Sequence, residues 1–356
     1  MIYFNAIYFL GVLGLFFDTN NDKNKVFLYY VLLILLIFSA LRVNVGFDYW
    51  NYVDLINGVQ DSDRIERFSK LFIDISNYLE EPQIFFILNS FIFVFFMSWG
   101  LKKFNSLDGV SLFVFLTFPL LFLRSLDIVR QYTAMAIVFF ASSLLVGDIS
   151  WRKRVKYIIY SFIGVGFHFP AILLVFINFF FSFEKLRKFF FGILNFYNFL
   201  IFSAIAYLMS SYVINYISSL GFEGYYFSYF ENLSDNAGLK IFLFYELLIA
   251  ALIFVMKKLK IESEQQKFSC VMLFSGGVIY AFLSPYGEHL GRIFAYFLPY
   301  FIVCFSCVFN KLSAFNRASL KALLVIIGTA SYYYMIYLRV IDESGDKLTN
   351  VKIFGF

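Results

Sequence analysis

The sequence predicts an all-α integral membrane protein, and three observations carry that prediction. Hydrophobic residues make up 61% of the 356 positions, charged residues only 15%, and the mean hydropathy is +0.76. A soluble chain of this length would need more polar side chains to cover its surface. Apolar runs near bilayer length recur between short charged segments, as around Val31 to Leu41 and Phe91 to Met97. These runs do not alternate as barrel strands do. In hydrocarbon every backbone amide needs an internal partner, so helices follow.

About ten spans are expected by length and hydropathy: 1–17, 26–41, 84–101, 110–126, 128–147, 189–210, 239–256, 268–286, 290–309 and 320–338. No basic segment precedes the first run, which reads as a span and not as a cleaved signal. Residues 1–356 read as one polytopic membrane domain, without an internal repeat or low-complexity segment. The 53 Phe residues are scattered through every span and read as lipid-facing filler. Cys270, Cys304 and Cys307 lie inside apolar runs, which suits neither a disulfide framework nor a metal site.

The apolar stretch 155–183 is interrupted by Gly164, Gly166 and Pro170. It reads either as one kinked span or as a re-entrant helical hairpin that enters and leaves on the same side. The positive-inside rule selects the hairpin. With it, Lys23, Lys25, Lys102, Lys103, Arg152, Lys153, Arg154, Lys156, Lys185, Arg187 and Lys188 fall on the cytoplasmic side. The cluster Lys257 to Lys267 joins them, with Lys311, Arg317 and Lys321, and both termini face out. A single span would reverse everything after it and erase the bias.

Two outer segments follow from this orientation. In 42–83, Ile65, Phe68, Phe72, Ile75 and Leu79 recur at three- and four-residue spacing behind Asp61 and Asp63. Acids at a helix start complement its dipole, so an amphipathic helix on the outer membrane surface is expected there. It either shapes a mouth over a cavity or anchors a loop. Tyr212 to Gly238, rich in Tyr, Ser and Asn, is the candidate for a further lid.

Four outer features hold residues suited to chemistry. Arg42-Val-Asn-Val-Gly46-Phe-Asp48-Tyr49-Trp50-Asn-Tyr52 follows the second span and reads either as a sugar-friendly polar surface or as interfacial anchoring. Arg124-Ser-Leu-Asp127-Ile-Val-Arg130-Gln131 is a turn leading into an apolar helix, with Ser125 or Asp127 as the expected cap. A guanidinium, a helix dipole and free N–H groups converge there, as an anion site requires. Gly166-Phe-His168-Phe-Pro170 forms the hairpin apex, and its histidine can trade a proton near neutral pH. Ser284-Pro-Tyr-Gly-Glu288-His289-Leu-Gly291-Arg292-Ile-Phe-Ala-Tyr296 is a late outer turn running into a helix. Outer arginines at helix ends, without a phosphate-binding glycine loop or a metal-ligand cluster, suit metal-independent binding of a diphosphate on a lipid.

At these positions the chain resembles the EpsG/Wzy family of bacterial polysaccharide polymerases. The family's early Arg-x-x-x-Gly-x-Asp-Tyr-x-x-Tyr run is matched by Arg42, Gly46, Asp48, Tyr49 and Tyr52, and its mid-chain Arg-Gln by Arg130 and Gln131. Its Phe-His is matched by Phe167 and His168, and its late Arg-x-x-x-Tyr by Arg292 and Tyr296. Phe47 departs from the small hydroxyl residue that usually precedes the family's aspartate.

The resemblance implies a C-type glycosyltransferase-like fold in the bacterial cytoplasmic (inner) membrane, with its active site on the extracytoplasmic side. It implies a Wzy-type polymerase that joins oligosaccharide repeat units carried on undecaprenyl diphosphate into capsule, exopolysaccharide or O-antigen, without cofactor or metal. The partners implied are a lipid-linked donor and acceptor, membrane lipid and a chain-length regulator, with no nucleic acid. Arg130 and Arg292 are then expected on the diphosphate with Gln131 and Tyr296 beside them, and Tyr49 and Tyr52 along the substrate. Arg42 is a third clamp or a partner of Asp48. His168 is the expected base, ahead of Asp48, because its ordinary pKa lies nearer the working pH; Glu66 and Glu288 stand in reserve.

Two rival readings make opposite demands on the sequence. An O-antigen ligase uses the same donor but typically carries a large late outer loop, whereas Pro285 to Gly291 is short. A flippase or transporter is expected to show inverted repeats or charges buried in mid-span.

The orientation is tested with a Glu262→Cys variant. A membrane-impermeant thiol reagent added from outside should leave that cysteine unlabelled until the membrane is opened. Labelling in intact cells would overturn both the hairpin and the orientation.

Overall fold

The computed structural model describes residues 2–16, 22–46, 48–118, 120–147, 149–219, 237–260, 263–286, 292–341 and 352–353. The described elements are helices, apart from an antiparallel pairing of β1 (Arg42–Val43) with β2 (Lys352–Ile353) that sets Arg42 opposite Ile353. Among the described residues, five helices are long and apolar enough to cross a membrane. They are Gln83–Lys103, Phe196–Tyr216, Glu264–Tyr286, Arg292–Lys311 and Ala314–Ile336, and shorter apolar helices accompany them. Phe47, residues 220–236 of the expected lid, and the turn 287–291 with Glu288 and His289 lie outside the described residues.

The chain folds as two compact units, Met1–Val175 with Phe309–Phe356, and Phe176–Val308. In the first, α1 (Ile2–Phe16) and α2 (Asp22–Leu41) precede two short helices, α3 (Tyr49–Ile56) and α4 (Arg67–Tyr78). Next come α5 (Gln83–Lys103), α6 (Gly109–Thr117), the single turn α7 (Phe122–Ser125) and α8 (Val129–Ser142). The unit is built around α8, in which every residue except Arg130 is buried. A helix buried on nearly every face has protein around it, and α5 and α9 (Trp151–Phe167) supply much of it.

The span expected at 110–126 is broken. Helix α6 opens where the Asp108 carboxylate accepts the Ser111 N–H at 2.7 Å, and it ends at Thr117. Phe118 turns extended (ψ 126°), as sterics demand of the residue before a proline, here Pro119. The stretch 155–183 is two helices. Helix α9 runs through both Gly164 and Gly166 and stops at His168, and α10 (Ala171–Ser182) begins just after Pro170. A proline needs no N–H partner ahead of a first helical turn. The Tyr157 hydroxyl donates to the Val175 carbonyl at 2.6 Å, which ties the first turns of α10 to α9.

In the second unit the expected span 189–210 is also divided. Amphipathic α11 (Glu184–Ile193) ends at extended Leu194, and α12 (Phe196–Ser219) opens where the Asn195 side chain accepts the Asn198 N–H at 2.8 Å. Helices α13 (Ala237–Lys258) and α14 (Glu264–Leu283) follow, and α14 receives the Arg187 guanidinium on Glu264 at 2.9 Å. A 3-10 helix, Arg292–Phe297, leads into α15 (Leu298–Lys311). The chain then returns to the first unit through α16 (Ala314–Ile341), whose Tyr332 hydroxyl donates to the Phe4 carbonyl at 2.9 Å.

Helix α1 lies so close to α6 that a β-carbon on Gly109 would overlap the Gly14 carbonyl, and backbone cannot move as a side chain can. Gly109→Ala should therefore cost about 1–3 kcal/mol and lower the thermal midpoint in detergent. Gly192→Ala, which would point into open space, should leave the midpoint unchanged or slightly raised.

Candidate functional site

The candidate site is built on the turn after α2. Arg42 is only 1% exposed. Its guanidinium donates to the Ser39 carbonyl, to the Leu126 carbonyl at 3.3 Å and to the Ser90 hydroxyl at 3.5 Å, and it lies 4.8 Å over the Phe86 ring. The Gln83 amide holds the Arg42 carbonyl at 3.1 Å. Burial pushes the Arg42 pKa down to about 10 and the Asp127 carboxylate pulls it back up, so the group keeps its charge at neutral pH. Asp127, itself buried, also accepts from Arg124 at 3.2 Å.

Gly46 completes this contact. It holds φ at +95°, and a β-carbon there would overlap the Leu126 carbonyl and meet Asp127 Oδ1 at 3.0 Å. The first and second sequence features are therefore packed together: Arg42 and Gly46 both dock on the Leu126–Asp127 turn that launches α8. The expected cap is not seen. Ile128 holds the cap position without a side-chain bond, Ser125 donates to the Phe122 carbonyl, and Asp127 serves the arginines.

Arg130 is the second residue of α8, and its side chain is 25% exposed. One terminal nitrogen reaches Glu66 Oε2 at 2.6 Å. Glu66 is the N-cap residue of α4, yet its carboxylate caps nothing. Its other oxygen accepts the Phe169 N–H at 3.0 Å, at the turn between α9 and α10. The Ser69 hydroxyl, one turn along α4, donates to the Phe167 carbonyl at 2.9 Å. Helix α4 thus grips the backbone on both sides of His168. Its Ser69–Ile73–Ser76 face is buried against protein, and Ile73 packs with Tyr49, Tyr52, Phe85 and Phe86.

Asp48 precedes α3 without capping it, and α3 carries two buried tyrosines. Tyr49 stacks on Phe86 at 4.7 Å. Tyr52 lies on Phe85 at 4.8 Å. Burial raises the Tyr52 pKa; the charge and hydrogen bonding of neighbouring Arg130 oppose that shift, and Asp48 reinforces it. Burial likewise raises Tyr49, with Arg42 opposing.

Arg130, Glu66, Tyr52, Asp48 and the His168 turn therefore form one neighbourhood in the first unit. His168 is half-buried and closes α9, giving its N–H to the Gly164 carbonyl at 3.2 Å. Gln131 is buried behind Arg130. Arg292 and Tyr296 belong to the second unit, where Arg292 opens the 3-10 helix and Tyr296 is buried. Glu66, a reserve in the sequence reading, is the residue that ties the neighbourhood together, across 64 positions to Arg130 and 103 to Phe169. A guanidinium paired with a carboxylate, beside a tyrosine and the turn that carries His168, offers hydrogen-bond donors suited to an anion.

A family model described as the EpsG family matches residues 2–349. No curated protein and no solved structure matches the chain.

Gly46→Ala should strain the backbone and push the turn away from Leu126, costing ~1–3 kcal/mol. Thermal unfolding should show that loss, and chemical modification of Arg130 should change with it. An unchanged midpoint would mean that the turn does not depend on this close approach.

Proposed function

The chain belongs to the EpsG family, and from that membership we propose that it is a polysaccharide polymerase. In this reading it lies in the bacterial cytoplasmic membrane with about ten spans, a re-entrant hairpin at 155–183 and a C-type glycosyltransferase-like arrangement open to the outer face. It joins oligosaccharide repeat units carried on undecaprenyl diphosphate, and a chain-length regulator is its natural partner.

The observation that carries the reading is Arg130, held at the start of a buried helix by Glu66 beside the His168 turn. The acceptor hydroxyl oxygen attacks the anomeric carbon of the donor while the bond from that carbon to the diphosphate oxygen breaks. The leaving diphosphate takes the bonding electrons, and Arg130 offsets its charge. The acceptor proton goes to His168, with Asp48 as the alternative base. Arg42 faces Leu126 and Asp127, so its role is to hold the start of α8 and not to touch the lipid. Tyr49 and Tyr52 wall the sugar side, with Gln131 behind Arg130.

Arg130→Lys keeps the charge but loses the forked donors. Polymer should disappear while single lipid-linked units persist, with protein level unchanged; normal polymer would remove Arg130 from the site. His168→Ala should cut the purified enzyme's turnover by ~10²–10⁴-fold with donor binding largely kept, and Asp48→Asn should do less. The reverse order would transfer the base to Asp48.

A further inference from the structure

The carboxylate on Arg130 belongs to the protein itself. Glu66 Oε2 lies 2.6 Å from the guanidinium, in the place where an anionic ligand would pair, and Oε1 is fixed on the Phe169 N–H. The pair is partly buried, with side chains 14% and 25% exposed, and a ligand that pairs with this nitrogen has to take over the bond. We propose that Glu66 holds the anion position of Arg130 in the empty protein and sets the charge a lipid must carry to displace it, which makes it a specificity-determining residue. This rests on reading Arg130 as the diphosphate seat.

The physical consequence is selection by charge. A membrane offers many phospholipids whose phosphodiester carries one negative charge, and a single guanidinium would accept them. Exchanging one carboxylate for one phosphodiester on Arg130 gains little, because one monoanion replaces another and the displaced carboxylate loses its partner. A diphosphate brings at least two charges and more acceptor oxygens, so the same exchange is favourable. Glu66 is thus a built-in competitor that ordinary headgroups cannot remove.

Glu66→Gln tests this, since its amide oxygen can still accept the Phe169 N–H while the NH2 group in place of Oε2 carries no charge and cannot accept from Arg130. Binding of farnesyl diphosphate is measured on the full chain in nanodiscs of phosphatidylcholine, then with phosphatidylglycerol added, wild type and variant side by side. In phosphatidylcholine the variant should bind about three- to tenfold more tightly than wild type. Added phosphatidylglycerol should weaken the variant by at least about fivefold more than it weakens wild type.

Equal or weaker binding by the variant, or tighter binding without the gain in phospholipid sensitivity, would overturn the inference and leave Glu66 as a simple brace. Should Glu66→Gln not fold, Glu66→Ala, which removes the carboxylate altogether, is read by the same criteria. A wild type that does not bind farnesyl diphosphate saturably would instead bring down the underlying reading of Arg130, and the inference with it.

Discussion

A guanidinium shut away from water needs acceptors and an opposite charge, and the turn at Leu126 and Asp127 supplies one of each to Arg42. The Leu126 carbonyl takes a hydrogen bond from it and Asp127 supplies the opposite charge. Removing either partner would strand a buried charge, which costs several kcal/mol. The end of α2 is therefore bound to the start of α8, and Gly46 permits the close approach that the contact needs. Everything proposed for Arg130 depends on that anchorage, because Arg130 stands three residues beyond Asp127 on the helix so fixed.

The second half of the neighbourhood comes from α4. Its inner face is held by aromatic packing with α3 and α5, and its first turn reaches the backbone around His168 through Glu66 and Ser69. Rigid, buried elements thus carry the charged groups, and the exposed remainder is small. That division suits a site that must hold a highly charged headgroup against a greasy surround. Preformed donors cost no reorganisation when charge develops on a leaving group.

Much of this was legible in the sequence, and the physics explains the remainder. Composition and unbroken apolar runs were enough for a helical membrane protein, and the Arg42, Gly46 and Arg130 features stood out as charged or flexible residues at span ends. Continuous hydropathy concealed the breaks at Phe118 and Leu194, although Pro119 and the capping Asn195 both signalled them. Glu66 was visible only as an acid ahead of an amphipathic helix. Local spacing says nothing about a partner 64 residues away, so its bridge to Arg130 needed the fold. The same limit applies to Arg42, whose partner Leu126 lies 84 residues on, and the resemblance alone left its partner open between a substrate and Asp48.

The central claim is that a lipid diphosphate is seated where Arg130, Glu66 and the His168 turn meet. The most direct measurement is photo-crosslinking with a polyprenyl diphosphate carrying a photoreactive group next to the diphosphate, followed by peptide mapping. The account predicts adducts in the segments around Tyr52 to Ser69, Asp127 to Thr133 and Phe167 to Ala171, suppressed by excess unlabelled diphosphate. Saturable adducts confined to other parts of the chain would contradict it.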